Sequence, residues 1–199
     1  MQREDWNRRY AAVENVWSAK RNRFLAAEVS DLEPGRALDL ACGEGQNAIW
    51  LAARGWIVSG VDYSKVAIEK ARARAARDDV AVDFRCADLV GYEPEPAAFD
   101  LVLVLYLHIP AQERRDVLKR AAGALAPGGT FVLVGHDLLN LSEGVGGPSD
   151  PEILSTPDEI ASELPGLEIE KAERVLRDVD GEEHDAIDMV VRARRPLVG

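Results

Sequence analysis

The chain has 199 residues, 47% hydrophobic and 30% charged, enough for one well-buried core and too few for two ordinary domains. A formal net charge of −11 argues against a nucleic-acid partner, and no apolar run is long enough to span a membrane. Two cysteines, Cys42 and Cys86, are too few for a disulfide framework or a zinc site, and with no apolar secretory signal at Met1–Trp6 they fit a cytoplasmic protein; nothing in the sequence fixes an oligomeric state.

Residues 3–30 read as helical in one or two pieces, so 1–35 form an N-terminal cap segment. Pro34-Gly35 turns into a first strand, Arg36–Ala41, followed by a glycine-containing loop and a helix from about Gly45 to Arg54 that ends at Gly55. Trp56–Val61 is a second strand, and Ser64 caps a helix running to Arg77. Val80–Arg85 is a third strand, whereas Pro94 and Pro96 prevent a long helix over Val90–Ala98. Phe99–Leu107 is almost uninterrupted apolar sequence, as in a strand buried on both faces. Pro110 opens a helix with Val117, Leu118, Ala121 and Leu125 on one side. Pro127-Gly128-Gly129 then turns into a fifth strand, Thr130–Gly135, closing a core over 36–135.

Residues 136–155 are rich in glycine and proline and read as a flexible loop or lid. The remainder, 156–199, carries a helix near Thr156–Leu164 and two strands, about Leu167–Arg177 and His184–Arg194, which the short Asp180-Gly181 connection makes antiparallel. The alternation predicts an α/β fold: a Rossmann-like, mostly parallel sheet of seven strands with helices on both faces.

The informative segments fall at the ends of predicted strands, where ligands of open parallel sheets bind. Leu38-Asp39-Leu40-Ala41-Cys42-Gly43-Glu44-Gly45 runs from a strand through alternate glycines into a helix. Gly43 and Gly45 allow a ligand close to the backbone, and the helix start offers free N–H groups to a carboxylate. Asp62, in Gly60-Val61-Asp62-Tyr63-Ser64, is placed to accept both hydroxyls of a ribose, and Asp88, in Cys86-Ala87-Asp88-Leu89, to accept from an adenine amino group. A dinucleotide fingerprint would want a third glycine, but Gln46, Asn47 and Ala48 follow Gly45, which counts against a nicotinamide oxidoreductase.

Taken in order, Leu38–Gly45, Val61–Ser64, Cys86–Leu89, Phe99–Leu107 and Leu125-Ala126-Pro127-Gly128-Gly129 resemble the class I S-adenosylmethionine-dependent methyltransferases over about residues 36–135. The segment Trp6–Tyr10, Trp17 and Asn47–Ala52 is similar to the tellurite-resistance and thiopurine branch. The resemblance implies that S-adenosylmethionine is the cofactor and S-adenosylhomocysteine the product. It implies that Asp39 and the backbone of Ala41, Gly43 and Gly45 hold the methionine part, and that Asp62 holds the ribose with Tyr63 beside the adenine. Asp88 and Leu89 would then meet the adenine edge, the Leu105 carbonyl the amino group, and Trp17 would close over the methionine end. Many members have glycine where this chain has Ala41.

A sulfonium methyl is already activated, so in-line placement supplies much of the rate and a soft nucleophile such as a thiol needs little else. A phenol or amine also needs a proton acceptor. His108 and His136 follow predicted strands at the ligand-facing edge and are the catalytic candidates; Tyr10 and Tyr106 are candidate acceptor contacts, and His184 reads as structural. No Asn/Asp-Pro-Pro-aromatic stretch follows the fourth strand, against a nucleic-acid amino-methyltransferase, and no acid stands there to hold a catechol-type metal; Asp137 and Asn140 read as a turn. Methylation of a small thiol or other soft acceptor is the leading expectation. A hydroxyl acceptor with a histidine base, and a binding module without catalysis, are the alternatives.

Overall fold

The computed structural model describes residues 3–16 and 20–197. Its strands are β1 (Arg36–Leu40), β2 (Ile57–Asp62), β3 (Val82–Cys86), β4 (Phe99–Leu105), β5 (Leu125–His136), β6 (Glu168–Arg177) and β7 (Ala186–Arg194). They form one sheet in the order β3-β2-β1-β4-β5-β7-β6. The first five run parallel, and β7 lies antiparallel between β5 and β6, as the short C-terminal connection requires. The helices are α1 (Arg3–Ala12), α2 (Leu25–Glu28), α3 (Gln46–Ala52), α4 (Lys65–Arg77), α5 (Ala111–Ala124), α6 (Asn140–Glu143) and α7 (Pro157–Ser162).

Period-two alternation divides the core. Leu101, Leu103 and Leu105 of β4 enter one apolar cluster with Leu51 and Ile68, while Val102 and Val104 enter the other with Leu118 and Phe131. Helices therefore cover both faces. Local chemistry sets their ends: the Ser64 hydroxyl accepts from Ala67 N at 3.2 Å, and Thr156 and Glu159 form a reciprocal capping box on α7.

The N-terminal stretch carries two short helices, one of the two arrangements the sequence allowed, while three other details differ from the sequence reading. β5 begins at Leu125, directly on the end of α5, because Leu125 pairs with Phe99 before an irregularity in the ladder. β4 stops at Leu105 because Tyr106 takes φ +54°, a left-handed conformation that ends the strand. Residues 136–155 also carry α6, a 3₁₀ turn at Pro151–Ile153 and a bridge between Asp137 and Ser155.

α5 and α7 are locked by a buried bidentate pair. Arg114 Nε and Nη2 donate to the two Glu163 carboxylate oxygens at 2.9 Å each, and both side chains are 7% exposed. Removing one member strands the other charge, although Arg115 also reaches Glu163. Arg114→Ala is expected to destabilise the chain by about 3 kcal/mol in urea denaturation. A loss well below about 1 kcal/mol would contradict this role for the pair.

Candidate functional site

The β1 register with β2 and β4 sets Leu40 beside Val61 and Val104, so these strand ends lie level. Beyond Leu40 the chain curls sharply, with left-handed φ at Ala41 (+61°), Gly43 (+54°) and Gly45 (+77°). Ala41 carries a Cβ in a conformation that glycine adopts freely, so the loop stores strain at this position. Bonds to the neighbouring strand hold the curl. Cys42 N donates to Val61 O at 3.0 Å, and Gly43 N donates to Asp62 Oδ2 at 3.0 Å. The other Asp62 oxygen accepts from Ser64 N at 2.8 Å. Burial raises the Asp62 pKa above the ordinary carboxylate value, against the opposing backbone bonds from Ser64, Gly43 and Tyr63.

These strand ends open into one cavity of about 490 Å³, within the roughly 300–1,000 Å³ usual for small-molecule sites. Ala41, Gly43, Asp62, Tyr63, Asp88, Leu89 and Leu105 line it, so most of the residues expected at a cofactor come together. Asp88 is exposed, accepts from Val90 N at 3.1 Å and lies 3.6 Å from Arg3. Burial, with the charges of Asp62 and Asp88, raises Tyr63 to about 12.

Asp39 and Gly45 do not line the cavity. A Cβ at Gly45 would fall 2.6 Å from the Phe84 ring and 2.9 Å from Ala71 Cβ, so that glycine serves the packing of α4 and β3 beneath the loop. Asp39 is fully buried under the loop, and neither carboxylate oxygen has a hydrogen-bond partner of ordinary geometry among the described residues. Burial, and then the Asp62 charge, raises it to about 7, with the Ala48 backbone opposing. Trp17 lies outside the described residues.

The N-terminal segment walls the cavity through Trp6, Tyr10 and residues 20–23. Two residues missed by sequence reading tie it to the loop. Lys70 Nζ donates to the carbonyls of Tyr10, Val13 and Glu14 and to Glu44 Oε1 at 3.1 Å, while Glu44 Oε2 accepts from Val16 N at 3.0 Å. Asn47 Oδ1 also accepts from Asn22 N at 2.8 Å. Of residues 136–155, by contrast, only His136 lines the cavity. Asp137 and Asn140 are turn and anchor residues: Leu139 N donates to Asp137 Oδ1 at 2.8 Å, and Ile187 N to Asn140 Oδ1 at 2.7 Å.

At the far end Tyr106, His108 and His136 meet. The two imidazoles are nearly parallel, 7° apart with centroids at 5.4 Å, and the Tyr106 ring lies 4.9 Å from His136. Burial, then the charges of His136 and Arg9, pushes His108 down to about 4, so it is neutral at physiological pH; its Nε2 is buried with no hydrogen-bond partner among the described residues. Sequence reading missed Asp188 and Arg177, which complete the group. Asp188 Oδ2 accepts from Tyr106 Oη and from Arg177 Nε at 2.6 Å each, and Oδ1 lies 2.9 Å from His136 Nδ1. The available signal was a lone carboxylate inside the apolar run Ala186–Val191. His184 is exposed in the turn before β7.

The family profile described as a methyltransferase domain matches residues 37–129. A 27-O-demethylrifamycin SV methyltransferase of Amycolatopsis mediterranei is 33% identical over 153 residues, 74% of this chain and 54% of that protein. Over this stretch, just under half of its length by the family profile, the chain is similar to methyltransferases. It spans about half the length of the curated relatives it matches. The N-methyltransferase NodS of Bradyrhizobium japonicum, crystallised with S-adenosylhomocysteine, superposes with a TM-score of 0.72 at 20% identity, covering 98% of this chain and 100% of NodS. TehB of Haemophilus influenzae gives a TM-score of 0.72 at 15% identity over 87% of this chain and 62% of its own. At these identities both likenesses show the fold alone, so the tellurite-resistance branch is a likeness of architecture.

Asp39 generates a pH test. Its folded pKa of about 7 stands above the ordinary 3.8, so the folded chain holds an extra proton across that window. That contribution to stability is full below about pH 4 and is lost as pH rises towards 7. Asp39→Asn is expected to flatten this part of the stability–pH curve measured by chemical denaturation. A variant with the same slope as the parent would show that Asp39 does not hold the proton.

Proposed function

We propose that the chain transfers a methyl group from S-adenosylmethionine to a small-molecule acceptor that enters the same cavity from the histidine end. The observation that carries this reading is the cavity that joins a nucleoside-type wall (Asp62, Tyr63, Asp88, Leu89) to a wall of polar aromatic side chains (Tyr106, His108, His136). The donor set fits the cofactor. Asp62 keeps acceptor lone pairs beyond its bonds to the Gly43, Ser64 and Tyr63 backbone. Gly43 leaves the loop backbone bare under Tyr10, whose hydroxyl a Cβ there would approach to 3.0 Å. Asp39 beneath the loop is a buried carboxyl whose ionised form a neighbouring cation would favour, which suits a cationic amino acid end.

When bound, the cofactor supplies an electrophilic methyl group on a cationic sulfur. Asp62 would then hold the ribose, Tyr63, Asp88 and Leu89 the adenine, and Gly43 with Leu105 the amino acid end. The N-terminal wall excludes water from the junction, and Tyr106, His108 and His136 orient the acceptor. Among the described residues no cluster of three or more His, Cys, Asp or Glu could hold a metal ion, and no helix is long and apolar enough to cross a membrane. Two free cysteines, one exposed, suit a cytoplasmic setting.

Asp62→Ala is expected to weaken S-adenosylhomocysteine binding about 10- to 100-fold in calorimetry, the scale of charge-assisted hydrogen bonds of about 1.5–3 kcal/mol. Unchanged affinity would remove Asp62 from the site. S-adenosylhomocysteine release across thiols, phenols, other alcohols and amines tests the activity, and tight cofactor binding with no turnover across that panel would overturn it.

A further inference from the structure

We propose that Asp188 is a positioning residue that fixes His136 with Nδ1 protonated, so that Nε2 takes the proton of an acceptor hydroxyl; this rests on the methyltransferase reading above. Asp188 is completely buried in β7, inside an otherwise apolar run. A carboxylate there is unfavourable unless donors surround it, and here donors come from three elements. Tyr106, just after β4, and Arg177, at the end of β6, both donate to Oδ2, and His136, at the end of β5, faces Oδ1. Burial raises the Asp188 pKa, but the bonds from His136, Arg177 and Tyr106 outweigh it and hold the group below its ordinary value.

The tautomer follows from this permanent anion. An ionised carboxylate only accepts, so the nitrogen facing it must carry the proton. The contact is at hydrogen-bond distance without full hydrogen-bond geometry, a looseness common before a ligand is bound. A Cβ at Gly147 would meet His136 Cγ and Nδ1 at 3.2 Å, so that edge of the ring is packed against protein. The Nε2 edge is the one left for the cavity that His136 lines. His108, stacked on the same ring, stays neutral and does not oppose a charge on its neighbour.

The step balances. The acceptor oxygen forms a bond to the methyl carbon, the carbon–sulfur bond breaks with its electron pair staying on sulfur, and the hydroxyl proton moves to His136 Nε2. The resulting imidazolium faces the Asp188 carboxylate through Nδ1–H and later yields its proton to water. A thiol, ionised more readily, has less need of this machinery, so the geometry points to a hydroxyl acceptor such as a phenol or enol.

Asp188→Asn makes a specific test. Tyr106 and Arg177 both donate, so they claim the single amide oxygen, and the new NH₂ must face His136 Nδ1. That forces the proton onto Nε2 and removes the lone pair. Nitrogen-15 NMR of the chain without ligands is expected to show Nδ1–H in the parent and Nε2–H in Asp188→Asn. With a hydroxyl acceptor, kcat is expected to fall about 100-fold or more in Asp188→Asn and in His136→Gln, with KM moving far less and S-adenosylhomocysteine affinity unchanged. The parent measurement keeps the test decisive if Asp188→Asn fails to fold. Nε2–H in the parent, an unchanged tautomer in Asp188→Asn, or full turnover by His136→Gln would each overturn the proposal. Failure to bind S-adenosylhomocysteine would instead overturn the cofactor reading on which it rests.

Discussion

The Asp62 carboxylate is where strand, loop and helix meet. One oxygen receives the Gly43 amide from the loop after β1, and the other receives the Ser64 amide at the entry to α4. The sheet fixes the two strand ends, but this shared acceptor turns them into a wall with a common orientation. Burial works against the charge, and the backbone donors keep it available to a ligand. Asp39 lies in the same buried layer without ordinary partners, so the loop stands over two acids. That arrangement is costly in an empty protein and favourable once a cation and ribose hydroxyls arrive.

The nucleoside half of the site was legible because its signals are local. Alternate glycines after a strand, and acids one step beyond the next two strands, are readable along the chain, and the structure brings Gly43, Asp62 and Asp88 to one cavity. Local reading failed where two causes give the same residue. Gly45 looks like a second ligand-facing glycine, but its missing Cβ makes room for Phe84 and Ala71. The Gly- and Pro-rich stretch 136–155 reads as a lid because composition cannot show that Asn140 anchors it to Ile187. The strand pairing was also readable, whereas the start of β5 at Leu125 depends on a partner in β4 that no local pattern reveals.

The acceptor half was legible only in fragments. His108, His136 and Tyr106 stand out singly, but Asp188 and Arg177, which meet Tyr106 and His136, come from β7, which the sheet order sets beside β5, and from β6 beyond it. The wall nearest the nucleoside end depends on contacts of the same long range: Lys70 gathers the carbonyls that end α1 and pairs with Glu44 of the loop. The strand-end loop and the cavity wall are thereby joined, since the same loop carries Gly43, which lines the cavity, and Glu44. Tyr106, His108 and His136 line the same cavity from the ends of β4 and β5.

The most direct measurement is a crystal structure with S-adenosylhomocysteine bound. The account expects the ribose hydroxyls on the Asp62 carboxylate, the adenine between Tyr63 and Leu89, and the sulfur directed towards Tyr106 and His136. A ligand held elsewhere, or a sulfur turned away from the histidines, would contradict it.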